Sequence, residues 1–580
     1  MTKQATIASN AWIAKLHKPD RDLLLAVQTI LSYAVSGAEH SITFKRGTWD
    51  GRSSFLDFRA GTFPAGFVHY VAAKLRALGY TVMFARKELP PPLGPVAPVV
   101  DKFGMAPRYD YQPKVIDALL KFGQIIAQVA TGGGKSRIAK LAFARIGRPA
   151  MFLTTRGILL YQMHEAFERD LGIKVSILGD GKFGHTVVQD GVERQAIKKM
   201  SVAMVQTLVA RLEEKTVDGE IERMVDQILK KEVKVAKALE KKMTAVGATP
   251  AAVRAAIAEL EVKQKAARAA GAKELKAAAA VKVDAHMKDR AKTIDLLGKF
   301  ELVILEEAHE ASGNSYYEIM RHCKNAHYRL ALTATPFMKG DEEANMRLMA
   351  CSGPIAIKVP EELLIDRGIL AQPHFRIIEL RNKPAKLMRH TGWQSAYRIG
   401  IVENEFRNAE IVKECVRFAG YGLTSMVLIQ QTQHGALLAQ KLANAGLRVE
   451  FIQGEDDKEG RKEALRRLAG AEIDVLIGTS ILDVGVDVPA VGHICLAGGG
   501  KAEVALRQRI GRGLREKKNG MPNVCFVTDF ADAFNEHLKE HALTRLGIIK
   551  ATPGFDRHIL ERGADFDLEA LGFSKMKKAA

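Results

Sequence analysis

The chain has little cysteine and pairs none of it in sequence. Its five cysteines, Cys323, Cys351, Cys415, Cys495 and Cys525, lie far apart with no Cys-x-x-Cys pair. That excludes a zinc ribbon and a disulfide framework and leaves buried thiols as the expectation. The chain also lacks any run near the ~20 apolar residues that a membrane-spanning helix requires, so no membrane segment is expected. The opening Met1-Thr2-Lys3-Gln4-Ala5 is not followed by an apolar stretch with a small-residue cleavage site. Export is not indicated, and the cytoplasm is the expected compartment.

What is present is length and positive charge. At 580 residues the chain exceeds what one core supports, and three or four domains are expected. A hydrophobic share of 47% with 26% charged residues is ordinary for a protein with sizeable cores. Lys and Arg number 86 against 66 Asp and Glu, a formal charge of +20. Each basic side chain set on a phosphate releases counterions, so this excess points to nucleic acid without naming DNA or RNA.

Residues 1–87 read as a small α+β nucleic-acid-binding domain. It has a helix near Arg21–Ser36, extended segments around Ile42–Phe58, a helix near Phe67–Leu78 and a strand at Thr81–Phe84. Glu88-Leu89-Pro90-Pro91-Pro92-Leu93-Gly94-Pro95 opens a proline-rich linker over 88–105, expected as a semi-rigid spacer. Beyond it, apolar runs such as Met151-Phe152-Leu153 and Leu302-Val303-Ile304-Leu305 alternate with helical patterns. The rhythm returns after Arg407 in Met426-Val427-Leu428-Ile429 and Val524-Cys525-Phe526-Val527. Buried parallel sheets with helices on both faces give this pattern. Two α/β lobes are expected, 106–360 and 361–548, followed by a tail over 549–580.

Inside the first lobe, residues 213–299 form a stretch far too long for a connection. Ile221, Val225, Ile228, Val235, Leu239 and Val246 recur at coiled-coil spacing. Gly247-Ala248-Thr249-Pro250 then supplies a stop, a cap and a proline at the first helical position. A long antiparallel helical hairpin is expected, either a solvated strut or a surface for a protein partner or a displaced strand.

A Gly-rich turn between a buried strand and a helix aims backbone N–H groups at a phosphate, and the helix N-terminus adds favourable partial charge. Val129-Ala130-Thr131-Gly132-Gly133-Gly134-Lys135-Ser136 has that form. Lys135 would hold the β- and γ-phosphates of ATP and Ser136 would ligate Mg²⁺. Val129 stands where the general G-x-x-x-x-G-K-[ST] pattern has its first glycine. Glu306 and Glu307 follow the apolar run at Leu302. One would hold the Mg²⁺ shell and the next would orient or deprotonate the attacking water; a solvated strand end is the alternative. Gln508-Arg509-Ile510-Gly511-Arg512-Gly513-Leu514-Arg515 is dense in arginine. Arg512 and Arg515 would neutralise charge developing on the γ-phosphoryl group, or else form a patch for nucleic-acid backbone.

In this order, from about Tyr109 to Leu546, the motifs resemble those of superfamily 2 DEAD/DEAH-like helicases. Tyr111-Gln112 resembles the glutamine motif that reads adenine, and Leu153-Thr154-Thr155-Arg156 resembles motif Ia. Val205-Gln206-Thr207-Leu208 is similar to the next strand-contacting motif, and Glu306-Glu307-Ala308-His309 to the DEAH box. Leu332-Thr333-Ala334-Thr335-Pro336 resembles motif III, Val427-Leu428-Ile429 with His434 resembles motif IV, the stretch from Thr479 through Gly485 to Asp487 motif V, and Gln508 to Arg515 motif VI. The resemblance implies two tandem RecA-like lobes, with catalytic roles for Lys135, Glu306, Glu307, His309, Gln508, Arg512 and Arg515. It implies ATP contacts from Tyr111, Gln112, Thr131, Gly132, Gly133, Gly134, Lys135, Ser136, Gly485 and Asp487, and Mg²⁺ ligation through Ser136 and Glu306. Thr155, Arg156, Thr207 and Thr479 would grip one nucleic-acid strand on the edge opposite the nucleotide.

Near the N-terminus, Phe44-Lys45-Arg46-Gly47-Thr48-Trp49-Asp50-Gly51-Arg52 and Phe63-Pro64-Ala65-Gly66-Phe67 resemble the UvsW recombination helicases of T-even bacteriophages, in which a small α/β domain precedes the motor. That likeness implies ATP-dependent unwinding, branch migration or annealing of branched DNA, and a bacterial host cytoplasm if the chain is phage-encoded. Lys45, Arg46 and Arg52 would bind phosphates. Trp49 would either stack on a base or pack a hairpin turning at Asp50-Gly51.

Glu306 stands where the DEAH box opens with Asp, and its extra methylene reaches about 1.5 Å further. A direct contact misplaced by ~1 Å costs roughly a hundredfold, whereas contact through a Mg²⁺-bound water absorbs the length. A slow but active ATPase is expected. The helical insertion has no counterpart in the phage pattern and takes no role from it. The rival readings are a catalytically weak ATP-gated clamp and a DEAH-type RNA helicase.

Overall fold

The computed structural model describes residues 3–86, 88–101, 106–189, 192–308, 314–337, 341–453, 458–479, 491–501, 506–507, 510–511, 513–517 and 520–576. His309, Gly485, Asp487, Gln508 and Arg512 lie outside the described residues.

The N-terminal unit is a four-stranded sheet in the order Thr62–Pro64, Ile13–Leu16, Gln4–Ser9, Thr81–Arg86. Helices Arg21–Ile30 and Val68–Ala77 complete it. The first helix starts where the Asp20 carboxylate accepts the Leu23 N–H at 2.7 Å. It stops at Ile30 rather than Ser36, because Ser32–Ala34 pairs instead with Arg52–Ser54. Ile42–Lys45 is a helical turn, not an extended segment: the Ser41 hydroxyl accepts the Phe44 N–H at 3.1 Å and caps it.

This unit is fused to lobe 1 by a shared apolar core. Trp12 and Phe55 pack on Tyr317, with ring centroids 5.2 and 6.3 Å apart. Trp12 also covers the fully buried Arg329, whose guanidinium donates to the carbonyls of Ala326, Cys351 and Cys323 at 3.0, 3.3 and 3.2 Å. Burial lowers the Arg329 pKa to about 10 and pushes the Cys323 and Cys351 thiols up to about 12. All five cysteines are buried thiols. The proline-rich segment is not a spacer but a strap laid on lobe 1. Leu93 N–H donates to Ile146 O at 2.9 Å, Arg148 Nη2 to Pro91 O at 2.8 Å and Tyr328 Oη to Pro90 O at 2.6 Å. Proline removes donors, but its carbonyls still accept, and lobe 1 supplies the donors.

Lobe 1 is a nine-stranded sheet. From one edge its order is Val192–Ala196, Lys182–Gln189, Val175–Gly179, Met200–Met204, Ala150–Thr154, Leu302–Glu306, Tyr328–Thr333, Gln124–Val129, Ile355–Val359. The last seven are parallel. Lobe 2 is six parallel strands in the order Gln372–Ile378, Val524–Phe530, His493–Cys495, Ser425–Leu428, Val475–Gly478, Val449–Ile452. Both are RecA-like lobes. Buried charges in lobe 2 are paired: Arg407 Nε with Asp532 at 3.0 Å and Arg545 Nε with Asp529 at 2.8 Å. Residues 552–576 are not a loose tail, since Phe566, Leu568 and Phe573 bury against Phe418 and Phe526.

The insertion is a helical hairpin of arms Val217–Ala245 and Pro250–Leu297. Thr216 and Thr249 cap them, accepting from Gly219 N–H at 3.1 Å and Ala252 N–H at 3.3 Å. At its base, Arg211 Nε donates to Thr293 Oγ1 at 3.0 Å and Arg290 Nε to Leu212 O at 2.9 Å, which fixes it to helix Val205–Leu212. Among the described residues no helix is long and apolar enough to cross a membrane.

Two measurements test this packing. A Cβ on Gly66 would lie 2.1 Å from Met349 O and 2.6 Å from Ala350 O. Gly66→Ala should therefore lower unfolding stability by about 1–3 kcal/mol in denaturant titration, and an unchanged midpoint would contradict the docking. In lobe 2, burial depresses His434 and His493 to about 3. The folded chain keeps both rings neutral while the unfolded chain protonates below pH ~6.5. Their contribution is intact above that pH and is lost as pH falls toward 3, by about 2 kcal/mol per ring at pH 5. Equal denaturation midpoints at pH 7 and pH 5 would refute it.

Candidate functional site

The phosphate loop leaves the sheet at Val129 and enters helix Lys135–Ile146. Val129 is wholly buried as the last strand residue, which explains why glycine is not needed there. Gly134 is at φ +78°, and a Cβ on it would lie 2.6 Å from Gln112 Nε2. Only glycine turns the chain there and leaves the following N–H groups open to a phosphate. The loop is held from behind: Tyr111 Oη donates to Gly133 O at 2.9 Å and Gln112 Nε2 to the same carbonyl at 3.3 Å. Burial raises the Tyr111 pKa.

Gln112 is oriented in turn by residues the motif reading missed. Arg137 Nη1 donates to Gln112 Oε1, and Arg137 Nε donates to Asp101 Oδ2 at 2.6 Å. Asp101 comes from the strap before lobe 1, and Arg137 follows Ser136 in the first turn of the helix after the loop. The Arg137 guanidinium also lies 5.8 Å from the Tyr109 ring centroid. No sequence pattern signalled this chain, because its members are joined only by folding.

Parallel pairing brings the carboxylates to the same edge. Glu306, the last residue of its strand, is opposite Leu332, and Thr333 is opposite Gln128 beside the phosphate loop. Gln128 Nε2 donates to Ala334 O at 3.2 Å, tying the Thr-Ala-Thr segment to the loop strand. Glu306 is buried, 6% exposed. Glu307 is at φ +47°, a left-handed conformation that a side chain of this size rarely takes. Such strain concentrates at functional sites, and here it turns the second carboxylate out of the strand direction.

Lysine, hydroxyl, carboxylates and arginine share one cleft of about 620 Å³, walled by Lys135, Ser136, Glu306, Glu307 and, from lobe 2, Gly511 and Arg515. A Cβ on Gly511 would lie 2.9 Å from Thr131 Cβ, so the lobe 2 segment sits directly on the loop. Arg108 and Glu516 close the join bidentately at 3.1 Å, and the Glu516 carboxylate raises the Arg108 pKa. Arg507 grips the buried Glu361 at 2.6 and 2.8 Å. The donor set fits Mg²⁺: the Ser136 hydroxyl and the Glu306 carboxylate are hard oxygen ligands on one cleft.

The strand-gripping residues are placed differently. Arg156 lines the nucleotide cleft rather than the opposite edge, because it follows strand Ala150–Thr154 at the same sheet end as the phosphate loop. Thr155 O accepts from Gln206 Nε2 at 2.9 Å, joining the two lobe 1 strand motifs, while Thr207 is half-buried and Thr479 buried. Lys45 and Arg46 are exposed. Arg52 instead turns onto Ser32 Oγ at 2.9 Å and Glu342 of lobe 1 at 3.2 Å. Trp49 Nε1 donates to Arg52 O at 2.6 Å, but no hairpin turns at Asp50-Gly51, because Ile42–Lys45 before it is helical and Arg52–Ser54 after it pairs with Ser32–Ala34.

Comparison with known proteins agrees with this geometry. Residues 105–338 match the family "type III restriction enzyme, res subunit", and residues 409–517 match the helicase conserved C-terminal domain. A putative helicase of Sulfolobus islandicus filamentous virus is 25% identical over 237 residues, 39% of this chain and 42% of the relative. The ATP-dependent DNA helicase uvsW of Enterobacteria phage T4 is 26% identical over 239 residues, 40% of this chain and 46% of the relative. These matches span less than half of either relative's length. Among solved structures, T4 UvsW covers 94% of this chain and 96% of its own at 16% identity and TM-score 0.38. The helicase MrfA bound to DNA covers 81% of this chain and 56% of its own at 13% identity and TM-score 0.50. With both motor domains matched in order and the phosphate loop, carboxylates and lobe 2 arginine in one cleft, the chain belongs to the superfamily 2 helicases.

Proposed function

We propose that the chain is an ATP-hydrolysing motor that moves on DNA, with branched or forked DNA as its substrate. The observation that carries this reading is the cleft in which Lys135, Glu306 and Glu307 of lobe 1 face Arg515 of lobe 2. ATP lies with its phosphates on the loop and its base against Gln112, which Arg137 and Asp101 hold in place. Mg²⁺ held by Ser136 and Glu306 would supply charge neutralisation at the phosphates. Glu307 orients the attacking water, and Arg515 stabilises charge on the transferred group. Because the arginine arrives from the other lobe, hydrolysis and lobe separation are coupled. Thr155, Thr207 and Thr479 contact the backbone of one strand, with little base readout. DNA rather than RNA is favoured by the uvsW relative, which is a DNA helicase, and by the N-terminal likeness to that family. The matching cellular setting is the cytoplasm, of a bacterial host if the chain is phage-encoded.

ATP turnover measured with single-stranded DNA, duplex DNA, forked DNA and RNA tests the reading. Forked DNA should stimulate most, and stimulation by RNA alone would overturn it. Glu307→Gln should lower kcat by about 10²–10⁴-fold, and Lys135→Ala should abolish turnover. Glu306→Asp should be at least as fast as wild type; a wild type no faster than Glu307→Gln would favour an ATP-gated clamp. Arg137→Ala should raise KM for ATP about fivefold with little change in kcat, since it removes the hydrogen bond that orients Gln112. An unaltered KM would remove Arg137 from base recognition.

A further inference from the structure

The hairpin is not evenly charged along its length. Between Lys230 and Lys276, its distal half, there are twelve Lys and Arg against five Asp and Glu. The base, 213–229 with 277–299, has seven against nine. The base behaves as a solvated helix does, with i,i+4 pairs such as Lys288–Asp284 at 2.7 Å and Lys299–Asp295 at 2.6 Å. Distally the acids are outnumbered. Among the described residues Lys234, Lys237, Lys241, Lys242, Arg254 and Lys265 make no ion pair, and all six are exposed.

The excess is arranged in rows. Lys230, Lys234, Lys237 and Lys241 fall at i, i+4, i+7 and i+11, a single face of the first arm about 16 Å long. The half-buried Glu232, Ala236, Leu239 and Met243 lie on the opposite side, toward the second arm. The lysine row therefore points away from the hairpin's own packing. On the second arm, Arg254, Lys265 and Lys276 recur every eleven residues, near three whole turns, and form another row. Like charges lined up on one face cost stability through mutual repulsion, which a strut has no reason to bear.

We infer that the distal half of the hairpin is an arm that lies along the phosphate backbone of a DNA duplex. This rests on the reading that the motor works on DNA with duplex arms. A duplex is favoured over a single strand because residues 217–297 contain no Phe, Tyr or Trp. Proteins that hold single strands stack bases on aromatic rings, whereas a straight row of lysines matches regularly spaced phosphates. A protein partner is disfavoured because the exposed apolar residues make no long stripe: Leu229 and Val233 share a face, but Val235 points elsewhere. The arm is also well placed. It rises from helix Val205–Leu212, which carries Thr207, and returns to strand Leu302–Glu306, which carries Glu306. A duplex held there runs beside the motor rather than through it.

The test is nucleotide-free binding of the full chain to a long duplex and to a single strand of equal charge, over a salt series. The variants are K234E/K237E/K241E and, on the second arm, R254E/K265E/K276E. Glu and Lys have similar helix propensity, and circular dichroism checks that the arms persist. Each variant should bind the duplex about tenfold more weakly at ~0.1 M salt, with a salt slope reduced by about 3. Single-strand affinity and single-strand-stimulated turnover should hold, and K234R/K237R/K241R should behave as wild type. Unchanged duplex affinity in both Glu variants overturns the inference, as does an equal loss on single strand and duplex, or a preference for duplex RNA. A wild type with no nucleic-acid-stimulated turnover would sink the motor reading, yet the binding comparison would still decide the arm.

Discussion

Parallel strand pairing is the constraint on which the rest of the molecule depends. When Gln124–Val129, Tyr328–Thr333, Leu302–Glu306 and Ala150–Thr154 run the same way, their carboxyl ends must all emerge at one edge. The loops leaving that edge hold the phosphate turn, the Thr-Ala-Thr segment, the two carboxylates and Arg156. Four stretches scattered over some two hundred residues of sequence become neighbours without any side chain having to seek another. The same rule governs open α/β sheets generally, whose ligands sit outside the carboxyl ends of the strands. It also explains why Arg156 faces the nucleotide cleft.

The parts are joined by buried apolar packing together with polar contacts. The N-terminal unit shares an apolar core with lobe 1, reinforced by Trp12 over Arg329, and separating them would expose that core to water. The two lobes also share buried apolar packing, with Leu364 and Leu370 set against the phosphate loop, and polar clamps such as Arg108 with Glu516 and Arg367 with Asp110 add to it on partly exposed side chains. Pairs of that kind contribute only about 0–1 kcal/mol each and exchange readily with water.

The hairpin adds a third kind of element, a rigid extension fixed at its base and charged at its far half. Its insertion point lies between helix Val205–Leu212 and the strand that ends in Glu306. Its length comes from helix geometry alone, since 48 residues in the second arm extend about 70 Å at 1.5 Å each.

Much of this was legible in the sequence. A strand buried on both faces must be apolar throughout, so Leu302–Glu306 and Met426–Leu428 announce themselves. The cap at Thr249 and the proline at Pro250 mark the start of the hairpin's second arm because helix ends have local chemistry. Lys135, Ser136, Glu306, Glu307 and Arg515 were picked out in the sequence because a phosphate site calls for those residue types at fixed spacing, and the fold brings all five to one cleft. Other features belong to the tertiary structure alone. Asp101, Arg137 and Gln112 become one hydrogen-bonded chain only after the strap docks. Arg52 turns to Glu342 because lobe 1 offers it a carboxylate, and the proline-rich strap and residues 552–576 are ordered by partners far away in sequence. Local pattern records what a residue must be to sit in a strand, a cap or a phosphate turn. Which distant group it meets is decided by packing, because hydrogen bonds and apolar contacts between remote segments leave no periodicity in either one.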